Sequence, residues 1–205
     1  MRLETVNMLE NDTISYYDQN ADSFVNDTLK ADMGQTYKAF LSHIPEGGAI
    51  LDFGSGSGRD SKFFLDQGYK VEAFDGSIEL CKRASQLLGF EVKCMDFMDF
   101  DQKDKYDGIW ACASLLHLED DKLEEVLKRI VRALKKTGIC YASFKYGDFT
   151  GVRKGRFFND MTEEGIRELC NKVPGLKIDK MWISSDVRED RKQDWINIIL
   201  VREKE

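Results

Sequence analysis

Ile50-Leu51-Asp52-Phe53-Gly54-Ser55-Gly56-Ser57-Gly58-Arg59-Asp60 is the stretch whose reading decides the fold. An apolar run ends in an acid, three glycines follow at every second position, and a helical pattern begins. This reads as a strand, a tight turn and a helix N-terminus. Glycine lets backbone N–H groups approach a ligand with no Cβ in the way, and the helix start adds partial positive charge. A dinucleotide fingerprint, G-x-G-x-x-G, requires its third glycine at position 59. Position 59 is arginine and the glycine stands one residue early, so the pyrophosphate reading fails on spacing.

Outward from this loop the chain alternates strand and helix. Tyr69–Phe74 alternates like a strand and ends at Asp75-Gly76-Ser77. An acid there is placed to accept from two ribose hydroxyls, or to cap the helix that starts near Ser77. A third strand, Phe90–Met95, ends at Asp96-Phe97, and a fourth runs from Tyr106 toward Ala111 and the sequence Leu115-Leu116-His117. Leu123, Val126, Leu127, Ile130, Val131 and Leu134 mark an amphipathic helix, with Lys135-Lys136 at its C-terminal dipole and Gly138 ending it. A fifth strand is expected at Ile139–Lys145, a helix capped by Thr162 after it, and two last strands joined by a short charged turn. Strands and helices in alternation with a closing hairpin predict a doubly wound α/β sheet with one reversed strand.

The pattern Asp52-x-Gly54-x-Gly56-x-Gly58 resembles motif I of class I S-adenosylmethionine-dependent methyltransferases. The stretch Tyr106 to Leu118 resembles motif IV of the small members, where an aspartate opens the strand and -LLH- follows it. The resemblance covers roughly residues 40 to 147 well and is nearest to small bacterial enzymes of the tellurite-resistance and ubiquinone type. It implies a Rossmann-like seven-stranded sheet of order 3-2-1-4-5-7-6, the last strand antiparallel. It implies S-adenosyl-L-methionine as cofactor, with S-adenosyl-L-homocysteine as product. Cofactor contacts are then expected from Tyr17, Asp52, Gly54, Ser55, Gly56, Gly58, Arg59, Asp75, Gly76, Ser77, Asp96, Phe97 and Ala111. Asp96 would face the adenine amino group, Phe97 would pack on the ring, and Arg59 would meet the cofactor's carboxylate.

The implied reaction is in-line displacement at a sulfonium methyl, driven by positioning and exclusion of water. The candidate catalytic residues are His117 and Tyr17. His117 serves as base or substrate contact, or it bonds to backbone; Tyr17 contacts cofactor or substrate from an N-terminal lid, or packs a docking helix. Lys145, Tyr146, Arg153 and Arg156 lie at or after the end of the fifth strand. Strand ends on this side border the substrate cavity, and cations among aromatics in an acidic chain suggest a small anionic acceptor; a solvated charged loop is the alternative. The Asp/Asn-Pro-Pro-aromatic motif of many amino-group methyltransferases is absent after Ser114.

At 205 residues the chain is read as one methyltransferase domain. Residues 1–45 form a helical lid, 46–147 the cofactor-binding half, and 148–205 the substrate side with the closing hairpin. The net charge of −7 argues against nucleic acid as the main partner. The expected partner is a small-molecule methyl acceptor, with monomer and homodimer both open. No stretch is long and apolar enough for a membrane helix. The first residues carry no apolar core of a signal peptide, and the five cysteines are scattered without C-x-x-C; both favour a cytoplasmic protein with reduced thiols. With two histidines and no cysteine pair, no metal site is expected. Three other readings stay open: a methyltransferase acting on a protein or tRNA, a non-catalytic S-adenosylmethionine-binding protein, and, against its spacing, a nicotinamide dehydrogenase.

Overall fold

The computed structural model describes residues 13–188 and 191–203. Seven strands form one sheet: β1 (Ala49–Phe53), β2 (Lys70–Asp75), β3 (Lys93–Cys94), β4 (Tyr106–Ala111), β5 (Leu134–Lys145), β8 (Leu176–Ser185) and β9 (Asp194–Arg202). Their spatial order is β3-β2-β1-β4-β5-β9-β8. With β6 (Thr150–Arg153) and β7 (Arg156–Asn159) set aside as a separate hairpin, this is the expected 3-2-1-4-5-7-6. The first five strands pair in parallel, and β9 is antiparallel to both neighbours.

The helices are α1 (13–19 among the described residues), α2 (Ala21–Thr28), α3 (Gly34–Leu41), α4 (Arg59–Asp66), α5 (Ile78–Leu88), α6 (Asp120–Ala133) and α7 (Glu163–Asn171). Alternation along each strand sends residues to two separate cores. Leu51, Phe53, Ile109 and Ala111 pack with Leu123, Val126, Leu127 and Ile130 of α6 and Ile166 of α7. Ile50, Trp110, Tyr141 and Ile199 pack with Tyr37 and Phe40 of α3 and Phe64 of α4. Both faces of the sheet are therefore covered, as parallel strands require.

Three local expectations are corrected. The α6 helix stops at Ala133, and Lys135, Lys136 and Gly138 lie in β5 rather than at a helix end. Leu134 is fully buried and pairs with Tyr106, and the register then slips before Gly108 meets Ile139. Lys135 bonds to Asp107, whose carboxylate also accepts from the Ala49 amide. The third strand shrinks to Lys93–Cys94, because only the last residues of β2 are opposite it. Finally, Arg153 to Phe158 is no loop: β6 and β7 form an antiparallel hairpin that packs over the C-terminal ends of the sheet strands, against the turn after β4.

Candidate functional site

A cavity of about 530 Å³ opens at the C-terminal ends of β1, β2, β4 and β5, beneath α1, α2 and the β6–β7 hairpin. Ligands in open α/β sheets bind at this crevice, where strand order reverses. The glycine loop forms its floor. Gly54 and Gly56 both have positive φ, 81° and 54°, a conformation that costs L side chains energy. A Cβ on Gly54 would stand 2.5 Å from the Ser114 Cβ, and one on Gly56 would stand 3.0 Å from the Phe24 ring. The loop thus lies tightly between the turn after β4 and the lid.

Asp75 ends β2 and accepts from the Gly56 amide (2.8 Å) and the Ser77 amide (2.9 Å). Burial raises its pKa, and these amides work against that rise. Ser77 caps α5 and donates to Asp18 of α1, tying the lid to the second strand end. Asp96 caps a short turn through the Met98 amide, and Phe97 packs on Phe53 at 4.8 Å between ring centres. Both line the cavity.

Arg59 also faces the cavity but is committed to Asp60, with contacts of 2.6 and 2.9 Å. Asp60 is buried and accepts as well from Tyr37 and from Trp110 Nε1 (2.8 Å). Burial pushes the Asp60 carboxyl up, and Arg59, Tyr37 and Trp110 together hold it below the usual range.

Several expected contacts lie elsewhere. Asp52 is 2% exposed and accepts from the Ser61 amide and hydroxyl at the start of α4. Gly58 packs toward Ala84 of α5, and Ala111 is buried in the α6 core. Tyr146 is exposed and donates to Glu163, while Arg153 pairs with Asp160 within the hairpin region. None of these five lines the cavity. Cys94 is exposed and Cys112 borders the cavity, so not every cysteine is buried.

Tyr17, His117, Lys145 and Arg156 do come together. His117 Nδ1 lies 2.6 Å from the Phe157 carbonyl, which can only accept, so this nitrogen carries the proton. Its Nε2 then accepts from the Tyr17 hydroxyl at 2.8 Å. Burial drives the His117 pKa down to about 4, with Arg156 and Lys145 adding to the effect against the Phe157 bond. Burial raises the Tyr17 pKa, against the pull of Arg156. Arg156 lies 4.3 Å over the Tyr16 ring and reaches the Tyr17 hydroxyl. Lys145 Nζ lies 4.0 Å over the Phe158 ring, and its pKa falls to about 8 through burial first and the charge of Arg153 next.

Lining residues not singled out from sequence include Ser114, Ser143, Trp195 and Asn197. Asn197, 3% exposed in the apolar strand β9, was the one with a visible signal. It bonds to Tyr141 and Ser184. The buried hydroxyls of Ser55 and Ser114 have no hydrogen-bond partner among the described residues. They border the cavity beside the glycine loop. Buried hydroxyls without partners are costly, and a polar ligand there would satisfy them. The loop is too tight for side chains and the Ser55 and Ser114 hydroxyls beside it are without partners among the described residues, so the site fits an adenosyl amino acid.

Comparison with known proteins agrees. A family model described as a methyltransferase domain matches residues 50–138. The chain is 27% identical over 164 residues to an uncharacterized methyltransferase of Geobacillus thermodenitrificans, spanning 74% of this chain and 75% of the relative. It is 35% identical over 100 residues to an N-terminal Xaa-Pro-Lys N-methyltransferase of Danio rerio, 45% of each. A solved 1,6-didemethyltoxoflavin-N1-methyltransferase of Burkholderia thailandensis superposes with a TM-score of 0.78 at 22% identity, covering 98% of this chain and 90% of that one. The methyltransferase-domain match, the glycine loop, the strand order and these relatives support a class I S-adenosylmethionine-dependent methyltransferase.

Proposed function

We propose that this enzyme methylates a small anionic acceptor inside the cavity closed by α1, α2 and the β6–β7 hairpin. The observation that carries the reading is the pair Lys145 and Arg156. Both line the cavity, and neither has a carboxylate within ion-pair distance among the described residues. Of the other cations there, Arg59 pairs with Asp60, Arg188 with Asp186 and Arg191 with Asp27, and Lys192 is exposed to solvent. Unpaired, partly buried cations are costly, and an acceptor anion would offset that cost.

The cofactor supplies an electrophilic methyl group on a sulfonium. In this reading Asp75 takes the ribose, Asp96 and Phe97 the adenine end, and the Gly54–Gly56 loop with Ser55, Ser114 and Arg59 the amino-acid end. The chain's other contribution is enclosure. Asp18 bonds to Ser77, Thr28 to Ser57 and Thr13 to the Phe157 amide, so the lid is tied to the glycine loop, to α5 and to the hairpin. Exclusion of water favours attack by a positioned nucleophile. The division into lid (1–45), cofactor half (46–147) and substrate half (148–205) belongs to the same proposal, with residues 1–12 outside the described part.

The solved neighbour named for a small heterocyclic acceptor supports this reading. The relative named for a peptide N-terminus favours a protein acceptor instead. Calorimetric titration of wild type and Asp75→Ala with S-adenosylmethionine, S-adenosylhomocysteine and NAD tests the cofactor. Binding of both adenosyl ligands, weakened about tenfold or more by the substitution, is the expected result. Preference for NAD would overturn it. Turnover of peptides in preference to small acids would turn the acceptor reading to the protein class.

A further inference from the structure

Tyr17, His117 and the Phe157 carbonyl come from three separate segments, namely the lid helix, the turn after β4 and the hairpin. Their hydrogen bonds run in one direction. The Phe157 oxygen fixes the proton on Nδ1, which leaves Nε2 as a lone pair that Tyr17 fills by donating. The chain therefore holds a neutral imidazole with its basic nitrogen aimed at a cavity-lining hydroxyl. Such an arrangement serves a proton acceptor and is wasted on a nucleophile that arrives already ionised. Aromatic rings of Tyr17, Phe158 and Trp195 border the same space as Lys145 and Arg156.

We propose that Tyr17 and His117 act as a proton-accepting pair, and that the acceptor is an aromatic acid bearing a phenol that is protonated when it binds. This rests on the methyltransferase reading above. The acceptor's carboxylate sits against Lys145 and Arg156, with its phenol at Tyr17. As the phenol oxygen forms its bond to the methyl group, the C–S electron pair stays on sulfur. The phenol proton passes to the Tyr17 oxygen while Tyr17 gives its own to His117 Nε2. One positive charge disappears at sulfur and one appears on imidazole, so the net charge of the closed cavity is unchanged.

The groups facing the pair are Tyr16 from α1, Asp75 from β2, Lys145 from β5 and Arg156 from the hairpin. Burial and the two cations disfavour imidazolium before the acceptor binds. The acceptor's carboxylate neutralises the cations and leaves burial as the opposing influence. Base strength thus rises when the correct acceptor is bound.

The chain has two histidines, so nitrogen-15 NMR resolves the tautomer with His43 as internal reference. His117 is expected to carry its proton on Nδ1 and to stay neutral until the pH nears 4. A proton on Nε2 overturns the proposal. Turnover is measured with 4-hydroxybenzoate and with 3-nitro-4-hydroxybenzoate, whose phenol is ionised at neutral pH. His117→Asn and Tyr17→Phe are expected to lower kcat about 100-fold or more with the first and under about threefold with the second. Equal losses on both indicate a structural role and overturn it. No turnover of either phenol, with S-adenosylhomocysteine still bound, overturns the acceptor class alone. Failure to bind S-adenosylhomocysteine overturns the underlying methyltransferase reading.

Discussion

Asp60→Asn removes the charge from a carboxylate surrounded by donors. Its oxygens accept from Arg59 Nε (2.6 Å) and Nη2 (2.9 Å), from Trp110 Nε1 (2.8 Å) and from Tyr37. The Arg59 and Asp60 side chains are 18% and 9% exposed, so solvent screens the pair poorly. Removing one partner of a buried ion pair costs about 3–5 kcal/mol, since the other charge is left without compensation. For a chain of this size each kcal/mol lowers the melting temperature by about 2–4 °C, which gives a drop of about 6–20 °C. The assay is thermal unfolding at pH 7 followed by circular dichroism. Replacing Arg59 as well, by Met, removes the stranded guanidinium, while the asparagine oxygen still accepts from Tyr37 or Trp110. The double variant should therefore melt above Asp60→Asn. A drop under about 2 °C for Asp60→Asn, or a double variant that melts lower still, would refute the assignment of Asp60 as the counter-ion of a buried cation.

Gly54→Ala must place a Cβ 2.5 Å from that of Ser114 at a φ of 81°, a left-handed strain of about 1–2 kcal/mol before any clash. Its S-adenosylhomocysteine affinity should fall about tenfold or more by calorimetry, and an unchanged affinity would show that the loop does not hold the cofactor. The Asp52 carboxyl is pushed up to about 8 by burial first and by Asp60 second, so the folded state keeps a proton that the unfolded chain releases near pH ~4. Stability should fall as pH rises between those values, and Asp52→Asn should flatten the decline in melts from pH 5 to 9; parallel curves would remove Asp52 as its source. Lys145, lowered to about 8, should lose its hold on anions as pH rises past that value. Benzoate titrations should show this loss in wild type and a weak, pH-independent affinity in Lys145→Met.

The glycine-loop side of the cavity was more legible than the Lys145 and Arg156 side for a physical reason. Gly54, Gly56, Asp75 and Asp96 follow strand ends that local alternation marks, and each acts through its own turn or cap. Asp52 and Gly58 belong to the same motif, yet their work is inward: one carboxylate anchors Ser61 of α4, and one glycine admits Ala84 of α5. A motif marks positions the loop needs without saying which of them touch a ligand. Tyr146 and Arg153 looked equivalent to Lys145 and Arg156, but the hairpin gives Arg153 the acid Asp160 and leaves Tyr146 outside.

The family resemblance implied the seven-stranded order and the adenosyl ligand, while the sequence by itself determined the α/β alternation, the closing hairpin and a glycine loop whose spacing excludes a pyrophosphate. These depend on periodicity, turn chemistry and residue spacing, which are local. Only the tertiary structure decided that residues 150–159 pair as a hairpin and that Lys135 belongs to a strand. It alone joined Tyr17, His117 and the Phe157 carbonyl, separated by 100 and 40 positions. Contacts across such distances are set by how the lid and the hairpin pack on the sheet, and the Phe157 carbonyl brought there, not residue type, fixes the proton on one nitrogen of His117.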